Sequence, residues 1–173
     1  VSKEMQRDAI LAVTIATVCM LIYIWFRFKD IRFASSGVLA LLHDVMVVLA
    51  CYTFVRISVG NTFIACMLTI LGYSINATIV IFDRIRENMH GVKTVEELKE
   101  LENASITQTL TRSIYTSLTT FITIAVLFVM GVSTVREFAL PIMTGIVCGA
   151  YSSVCITGPL WFTMKKRSLI REK

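Results

Sequence analysis

Charged side chains are scarce in this chain, at 17% of its 173 residues, and only two histidines are present. A soluble domain of this length would carry closer to about a quarter charged residues. Hydrophobic residues make up 55% of the chain, and the mean hydropathy is +0.72. The composition therefore excludes an ordinary soluble domain and indicates an integral membrane protein.

Motifs for bond-making chemistry are also missing. The five cysteines are Cys19, Cys51, Cys66, Cys148 and Cys155. They form no Cys-x-x-Cys pair and show no metal-ligand spacing with His43 or His90, so we interpret them as small hydrophobic residues within apolar runs. Ser/His/Asp and Cys/His constellations do not share a predicted helix face, which makes a hydrolytic membrane enzyme the least favoured class. We expect no enzymatic activity, no metal and no cofactor.

Long apolar runs are what the sequence has instead. Each is roughly 20 residues, the length that crosses about 30 Å of hydrocarbon at ~1.5 Å per residue. The runs predict an all-α, polytopic membrane helix bundle, a single domain with transmembrane helices at about 8–28, 34–55, 61–82, 108–131 and 136–163. The last run is longer than one crossing needs, so we expect it to begin with an interfacial piece, to tilt, or to kink near Pro141.

Lys and Arg are concentrated on one side of these spans, in loop 27–33, in the connector 83–106 and after the last span. The positive-inside rule makes that side cytoplasmic, with the N-terminus of this chain outside and the C-terminus inside. The net charge of +5 is thus a signal of topology and lipid headgroups, with no sign of a nucleic-acid partner. Because the chain starts at Val1 rather than Met, we expect it to be a fragment.

The connector 83–106 contains Thr94-Val-Glu-Glu97, the spacing of a capping box. Apolar residues follow at helical spacing, so we predict a short amphipathic helix at about 95–102 lying along the membrane surface. It would serve as a contact surface for a partner or as a solvated connector, and the connector is favoured.

Small and polar residues recur along one face of the third and of the fourth span. In the third span they are Thr69, Gly72, Asn76 and Asp83, and in the fourth they are Thr109, Arg112, Thr116 and Thr123. Hydroxyls in lipid either pack helices or line a wetted path, and packing is favoured for the hydroxyls alone. Arg112 falls near the edge of the hydrocarbon. An arginine at that depth is equally consistent with snorkelling to the lipid headgroups and with a role in such a wetted path.

The second and fifth spans carry two further signals. His43 and Asp44 fall near mid-membrane, where an Asp is functional by default and a His can pass protons near neutral pH. A structural role, capping backbone groups of a neighbouring helix, is equally favoured. Gly145-x-x-x-Gly149, with Ser153 one step further, predicts close helix packing within the chain or against a partner.

Residues 72–88 read Gly-Tyr-Ser-Ile-Asn-Ala-Thr-Ile-Val-Ile-Phe-Asp-Arg-Ile-Arg-Glu-Asn. This segment resembles the signature of SecF, the small membrane subunit of the SecD–SecF protein-export complex in the resistance-nodulation-division superfamily. In that family the Asn is followed by an intramembrane Asp, where this chain has Ala77. The family has six spans with a globular extracytoplasmic domain after the first, and the resemblance implies that this chain lacks that span and domain.

The resemblance also implies a proton relay. SecF proteins hold an Arg in a Thr-Leu-x-Arg-(Ser/Thr) setting, here Arg112, opposite the Asp of the third span, and they carry the His-Asp pair in Ala-Leu-x-His-Asp. The implied proton-pathway residues are Arg112, Asn76, Ala77, Thr78, Thr116, Asp44 and His43. Alanine cannot titrate and an asparagine amide carries no proton at neutral pH, so we expect proton coupling to be disabled. Asp83 is the nearest alternative acid, but we expect it to pair with Arg84 and Arg86 and to fix the cytoplasmic end of the span.

The function implied by the resemblance is to assist Sec-dependent protein translocation with the proton-motive force. Its setting would be a bacterial or archaeal cell (inner) membrane. The implied partners are SecD, the Sec translocation channel, exported precursor proteins and the lipid bilayer. Two alternatives remain: a small-molecule exporter of the same superfamily, disfavoured because the chain shows no internal duplication, and a non-coupling structural scaffold subunit.

Overall fold

The computed structural model describes residues 3–57 and 59–171, so the start of the chain at Val1 lies outside the described residues. The helices are α1 (Lys3–Phe28), α2 (Ile31–Val55), α3 (Asn61–Asn88), α4 (Val95–Met130), α5 (Ser133–Ser152) and α6 (Gly158–Arg171), with a π-helical turn at Ser153–Thr157 between α5 and α6. Five segments are long and apolar enough to cross a membrane, and the last of them runs unbroken from Ser133 to Arg171. The predicted all-α bundle with five spans is confirmed.

The connector helix differs from the prediction. The capping box is present, because Thr94 Oγ1 accepts from the Glu97 backbone N–H at 3.2 Å and Glu97 Oε2 accepts from the Thr94 N–H at 3.2 Å. However, the helix that begins there continues for 36 residues to Met130. Residues 95–130 contain neither Gly nor Pro, so nothing ends the helix at the membrane surface. At ~1.5 Å per residue α4 is about 54 Å long, and its N-terminal part projects well beyond the hydrocarbon.

The irregularity in the last span lies elsewhere than expected. α5 passes through Pro141 as a helix. The wider π-helical turn comes later, and in it the Thr157 hydroxyl donates to the carbonyl of Ser152 at 3.2 Å. The π-helical turn is an irregularity that the expected interfacial piece, tilt or kink near Pro141 did not include, and such turns are often found beside functional sites.

α3 is the central helix and packs against α1, α2, α4 and α5. Gly145 and Gly149 of α5 lie directly on it. A Cβ added at Gly145 would lie 2.6 Å from the Ile70 side chain, and one at Gly149 would lie 3.2 Å from the Cβ of Ser74. The Gly-x-x-x-Gly strip thus serves packing within the chain, and it brings the backbone of α5 close to the polar side chains of α3.

An aromatic cluster lies at the end of the bundle where α6 meets the first turn of α2. Phe33 of α2 stacks on Trp161 of α6 with ring centroids 5.1 Å apart, and it meets Phe82 of α3 edge to face at 4.8 Å. All three side chains are buried. This cluster holds α6 against the first turn of α2.

Candidate functional site

The carboxylate of Asp44 is fully buried and collects donors from two other helices. Its Oδ2 atom accepts hydrogen bonds from Ser152 Oγ of α5 at 2.8 Å and from Ser74 Oγ of α3, which is in very close contact. Its Oδ1 atom accepts from Cys148 Sγ of α5 at 3.2 Å and lies 3.2 Å from His43 Nδ1. We call these five residues the Asp44 cluster.

The Asp44 cluster joins α2, α3 and α5 at bilayer depth. Hydrogen bonds to a carboxylate are stronger than those between neutral groups, and a polar network in an apolar setting stabilises when its members are satisfied. Here both carboxylate oxygens have partners, so the cluster is saturated. His43, Asp44 and Cys148 also place three possible metal-ligand atoms within 4.8 Å of one another. The interpretation of Cys148 as a plain hydrophobic residue is corrected, because its thiol is a member of this network.

A second polar site lies between α3 and α4. A small cavity of about 60 Å³ is lined by Tyr73, Asn76, Ala77, Val80, Arg112, Ser113 and Thr116. The polar faces of the two helices therefore turn toward each other, and Tyr73 of α3 donates to Ser117 Oγ of α4 at 3.1 Å beside the cavity. We call this the Arg112 cavity.

Arg112 itself has no carboxylate partner in the part of the chain that the structure describes. Within residues 3–57 and 59–171 its guanidinium makes no hydrogen bond or ion pair, and Ala77 lines the same cavity. A wider cleft of about 520 Å³ continues from Arg112 past Asp83 and Glu87. Among the described residues, the cavity therefore holds a guanidinium without an acidic partner.

The acids of that wider cleft are engaged with other cations. Asp83 pairs with Arg27 of α1, with Nη2 and Oδ1 2.9 Å apart. Arg84 instead pairs with Glu87 at 2.7 Å, and Arg86 donates to the backbone carbonyl of Arg27 at 3.0 Å. The expected pairing of Asp83 with Arg84 and Arg86 is thus corrected. Arg84 follows Asp83 directly along the helix and points in a different direction. Arg86 has a suitable spacing but donates to the Arg27 carbonyl, and the Arg27 guanidinium takes its place beside Asp83.

The predicted proton-pathway residues lie in three separate places. Asn76, Ala77, Arg112 and Thr116 line the Arg112 cavity. Thr78 is buried on another face of α3, close to Gly37 of α2, and its Oγ1 has no hydrogen-bond partner in the described part of the chain. Two residues along a helix are separated by about 200° of rotation, so Thr78 points away from the face that Asn76 occupies. His43 and Asp44 belong to their own cluster.

Sequence reasoning missed the donors of the Asp44 cluster. Gly145, Cys148, Gly149 and Ser152 recur at i, i+3, i+4 and i+7, which places them on one face of α5. Once the two glycines are assigned to close packing, the same face must carry the thiol and the hydroxyl into the contact. The spacing therefore places these side chains on one face of α5, but it does not say which helix that face meets.

The fold and these two sites define a multi-pass membrane protein with its ionisable groups held between helices. The family model described as protein export membrane protein SecD/SecF, C-terminal, matches residues 1–167. The chain therefore belongs to the SecD/SecF family of protein export membrane proteins.

Individual relatives agree with this assignment. The chain is 46% identical over 171 residues to the protein translocase subunit SecF of Alicyclobacillus acidocaldarius, covering 98% of this chain and 55% of that protein. It is 40% identical over 174 residues to the protein translocase subunit SecDF of Bacillus subtilis, covering 99% of this chain and 24% of that one. The chain thus spans about half the length of the SecF relatives and about a quarter of the SecDF relative.

Solved structures show the same fold. A crystal structure of SecDF in a super-membrane-facing form has a TM-score of 0.88 and 40% identity, covering 99% of this chain and 23% of that one. The crystal structure of SecDF from a Thermus species, described as a translocon-associated membrane protein, has a TM-score of 0.87 and 42% identity, covering 94% and 22%.

Proposed function

We propose that this chain is the membrane bundle of a translocase subunit that assists Sec-dependent protein export together with a SecD-type partner. The support is the family membership and the relatives described above, each of which is a protein translocase subunit. In this proposal the cytoplasmic side of the bundle is the side rich in Lys and Arg. It includes the connector between α3 and α4 and the end of α6. The Sec channel and exported precursor proteins are its proposed partners.

The Arg112 cavity carries the mechanistic part of the proposal. A carboxylate facing a guanidinium at membrane depth can take up and release a proton while the arginine compensates its charge. Proton uptake would then bias one arrangement of α3 and α4 over another, which is how the proton-motive force could drive work. Here Arg112 shares its cavity with Ala77, which has no titratable group. The proposal is therefore a bundle that assembles but does not couple proton flow to export.

The exposed face of α4 supports a partner within the membrane. Thr116, Thr119 and Thr123 are exposed, and each hydroxyl returns its hydrogen bond to the carbonyl four residues earlier. Only 6% of the residues in the most apolar part of α4 are buried inside the bundle. Polar hydroxyls along an uncovered span suit contact with another helix better than contact with acyl chains, which fits a neighbouring SecD-type subunit.

The test restores the missing acid. Ala77→Asp and the matched control Ala77→Asn are placed in the full-length protein that contains this chain, and export of a precursor is measured with and without a proton gradient. A77D is expected to raise the gradient-dependent part of export, whereas A77N supplies the same shape without a titratable group and leaves it unchanged. Equal export for A77D, A77N and the parent chain would contradict the coupling mechanism.

A scaffold role is the second candidate, and one observation favours it. In the described residues the most elaborate polar network, the Asp44 cluster, is saturated and joins three helices, which is the arrangement of a structural element. A scaffold would support export to the same extent whether or not a proton gradient is present. The gradient dependence of export measured for A77D separates the two candidates.

A further inference from the structure

We propose that a cleft between the first turn of α2 and the end of α6 binds the phosphate group of an anionic lipid headgroup. The cleft has a volume of about 540 Å³ and is lined by Arg32, Met164, Arg167, Ser168, Ile170 and Arg171. We call it the basic cleft. It is separate from both the Asp44 cluster and the Arg112 cavity, and it shares no residue with either.

Arg32 is held in place at the wall of the basic cleft. Its Nη2 atom donates to Ser168 Oγ of α6 at 2.7 Å, and its Nη1 atom lies 3.6 Å from Asp30 Oδ2. Asp30 is fixed in turn as the N-cap of α2, where Oδ1 accepts from the Arg32 backbone N–H at 2.9 Å. A planar guanidinium that is already positioned loses little freedom when it binds an oxyanion, so the site is preorganised.

The charges of the basic cleft are unbalanced. Arg167 and Arg171 are one helical turn apart on α6, and both are exposed. In the part of the chain that the structure describes, neither guanidinium forms an ion pair, and Asp30 is the one carboxylate paired with any of the three arginines. Like charges collected in one cleft repel each other, and the N-terminal end of α2 adds further positive potential. A bound anion would offset this repulsion.

The depth of the cleft indicates where that anion comes from. Arg32 lies in the first turn of a membrane span, and the next residue, Phe33, stacks on Trp161 in the buried aromatic cluster. The cleft therefore lies at the boundary between hydrocarbon and water, where lipid phosphates are found. Met164 and Ile170 add apolar wall beside the arginines. A free phosphate ion gains nothing from contact with these apolar side chains, whereas a lipid carries a glycerol and acyl chains next to its phosphate that can pack against them.

The experiment uses the full-length protein that contains this chain, titrated with phosphatidylglycerol or phosphatidylcholine and observed by native mass spectrometry. The double variant Arg167→Gln/Arg171→Gln removes two exposed guanidiniums and leaves the packed Arg32 in place. Its control is Lys93→Gln/Lys99→Gln, which removes two exposed charges from the connector region. The arginine variant is expected to weaken phosphatidylglycerol binding about 30-fold, from the contribution of two basic groups at a membrane surface. The lysine control is expected to change it less than about threefold.

Two further arms identify the source of the phosphate. Phosphatidylcholine, whose phosphate is neutralised by its own choline, is expected to bind weakly to every variant, and excess inorganic phosphate is expected to leave phosphatidylglycerol bound. Equal losses in the arginine and lysine variants would overturn the proposal, because bulk charge would then explain the binding. Displacement by inorganic phosphate would also overturn it, because the site would then accept the free ion.

Discussion

The Asp44 cluster and the Arg112 cavity lie against two faces of the same helix, α3. The ionisable group has hydrogen-bond partners in the first site and none among the described residues in the second. The Asp44 carboxylate is fully buried, and Ser74 of α3 helps to saturate it. On the other face, Asn76 and Ala77 line a cavity in which Arg112 has no acidic partner among the described residues. A saturated polar group is fixed in one arrangement, whereas an unpaired one can respond to whatever enters its cavity. The difference separates a structural role from a responsive one.

The largest expected effect comes from removing the centre of the saturated site. Asp44→Ala leaves two hydroxyls and a thiol without their acceptor, and it should lower the free energy of unfolding by about 3 kcal/mol. The measurement is the labelling rate of the buried thiol of Cys66 during titration of the full-length protein with a denaturing detergent. Asp44→Asn keeps the shape and some of the hydrogen bonds, so its loss should be about half as large. A loss as small as that of an exposed residue would show that the cluster does not hold the helices together.

The close approach of α5 to α3 comes next. Gly145→Ala places a methyl group 2.6 Å from the Ile70 side chain, which forces the helices apart and should cost about 2 kcal/mol. Gly72→Ala is the matched control, because nothing lies within 4 Å of a Cβ added there. The same labelling of Cys66 measures both. Similar values for the two variants would mean that α5 can move aside freely.

A single donor of the Asp44 cluster should have a smaller effect. Ser152→Ala removes one charge-assisted hydrogen bond and should cost about 1.5 kcal/mol. Ser36→Ala is the control, because the Ser36 hydroxyl is also buried but donates only to carbonyls of its own helix. Detergent titration of both variants compares the loss of a hydrogen bond between two helices with the loss of one within a single helix. The saturated arrangement is contradicted if Ser36→Ala is the more damaging change.

The smallest effect on stability is expected at the Arg112 cavity. Arg112→Gln removes an exposed guanidinium that has no partner in the described chain, so the free energy of unfolding should change by less than about 0.5 kcal/mol. Arg27→Gln is a useful control, because it breaks the ion pair with Asp83 at a similar exposure. If Arg112→Gln destabilised the bundle as much as Asp44→Ala, the contrast between the two sites would be lost.

The sequence was sufficient for the number and nature of the helices, because each apolar run has the length of a membrane crossing and Thr94 and Glu97 have the spacing of a cap. The position of Ala77 opposite Arg112 was implied by the resemblance to SecF and not by periodicity. The sequence was insufficient for the Asp44 cluster, whose donors Ser74, Cys148 and Ser152 come from two helices that are distant in sequence. Which helix packs on which is decided by tertiary contacts, and periodicity within one helix carries no information about its neighbour.

The uninterrupted course of α4 has a mechanical consequence. The first turns of α4 lie outside the hydrocarbon, and its middle carries Arg112. The helix continues between these two regions without a break. Between these two regions, Asn88 at the end of α3 donates to Ser105 Oγ of α4 at 2.8 Å. Because these regions belong to one continuous helix, a displacement of the first turns of α4 is transmitted along its backbone to the segment that carries Arg112.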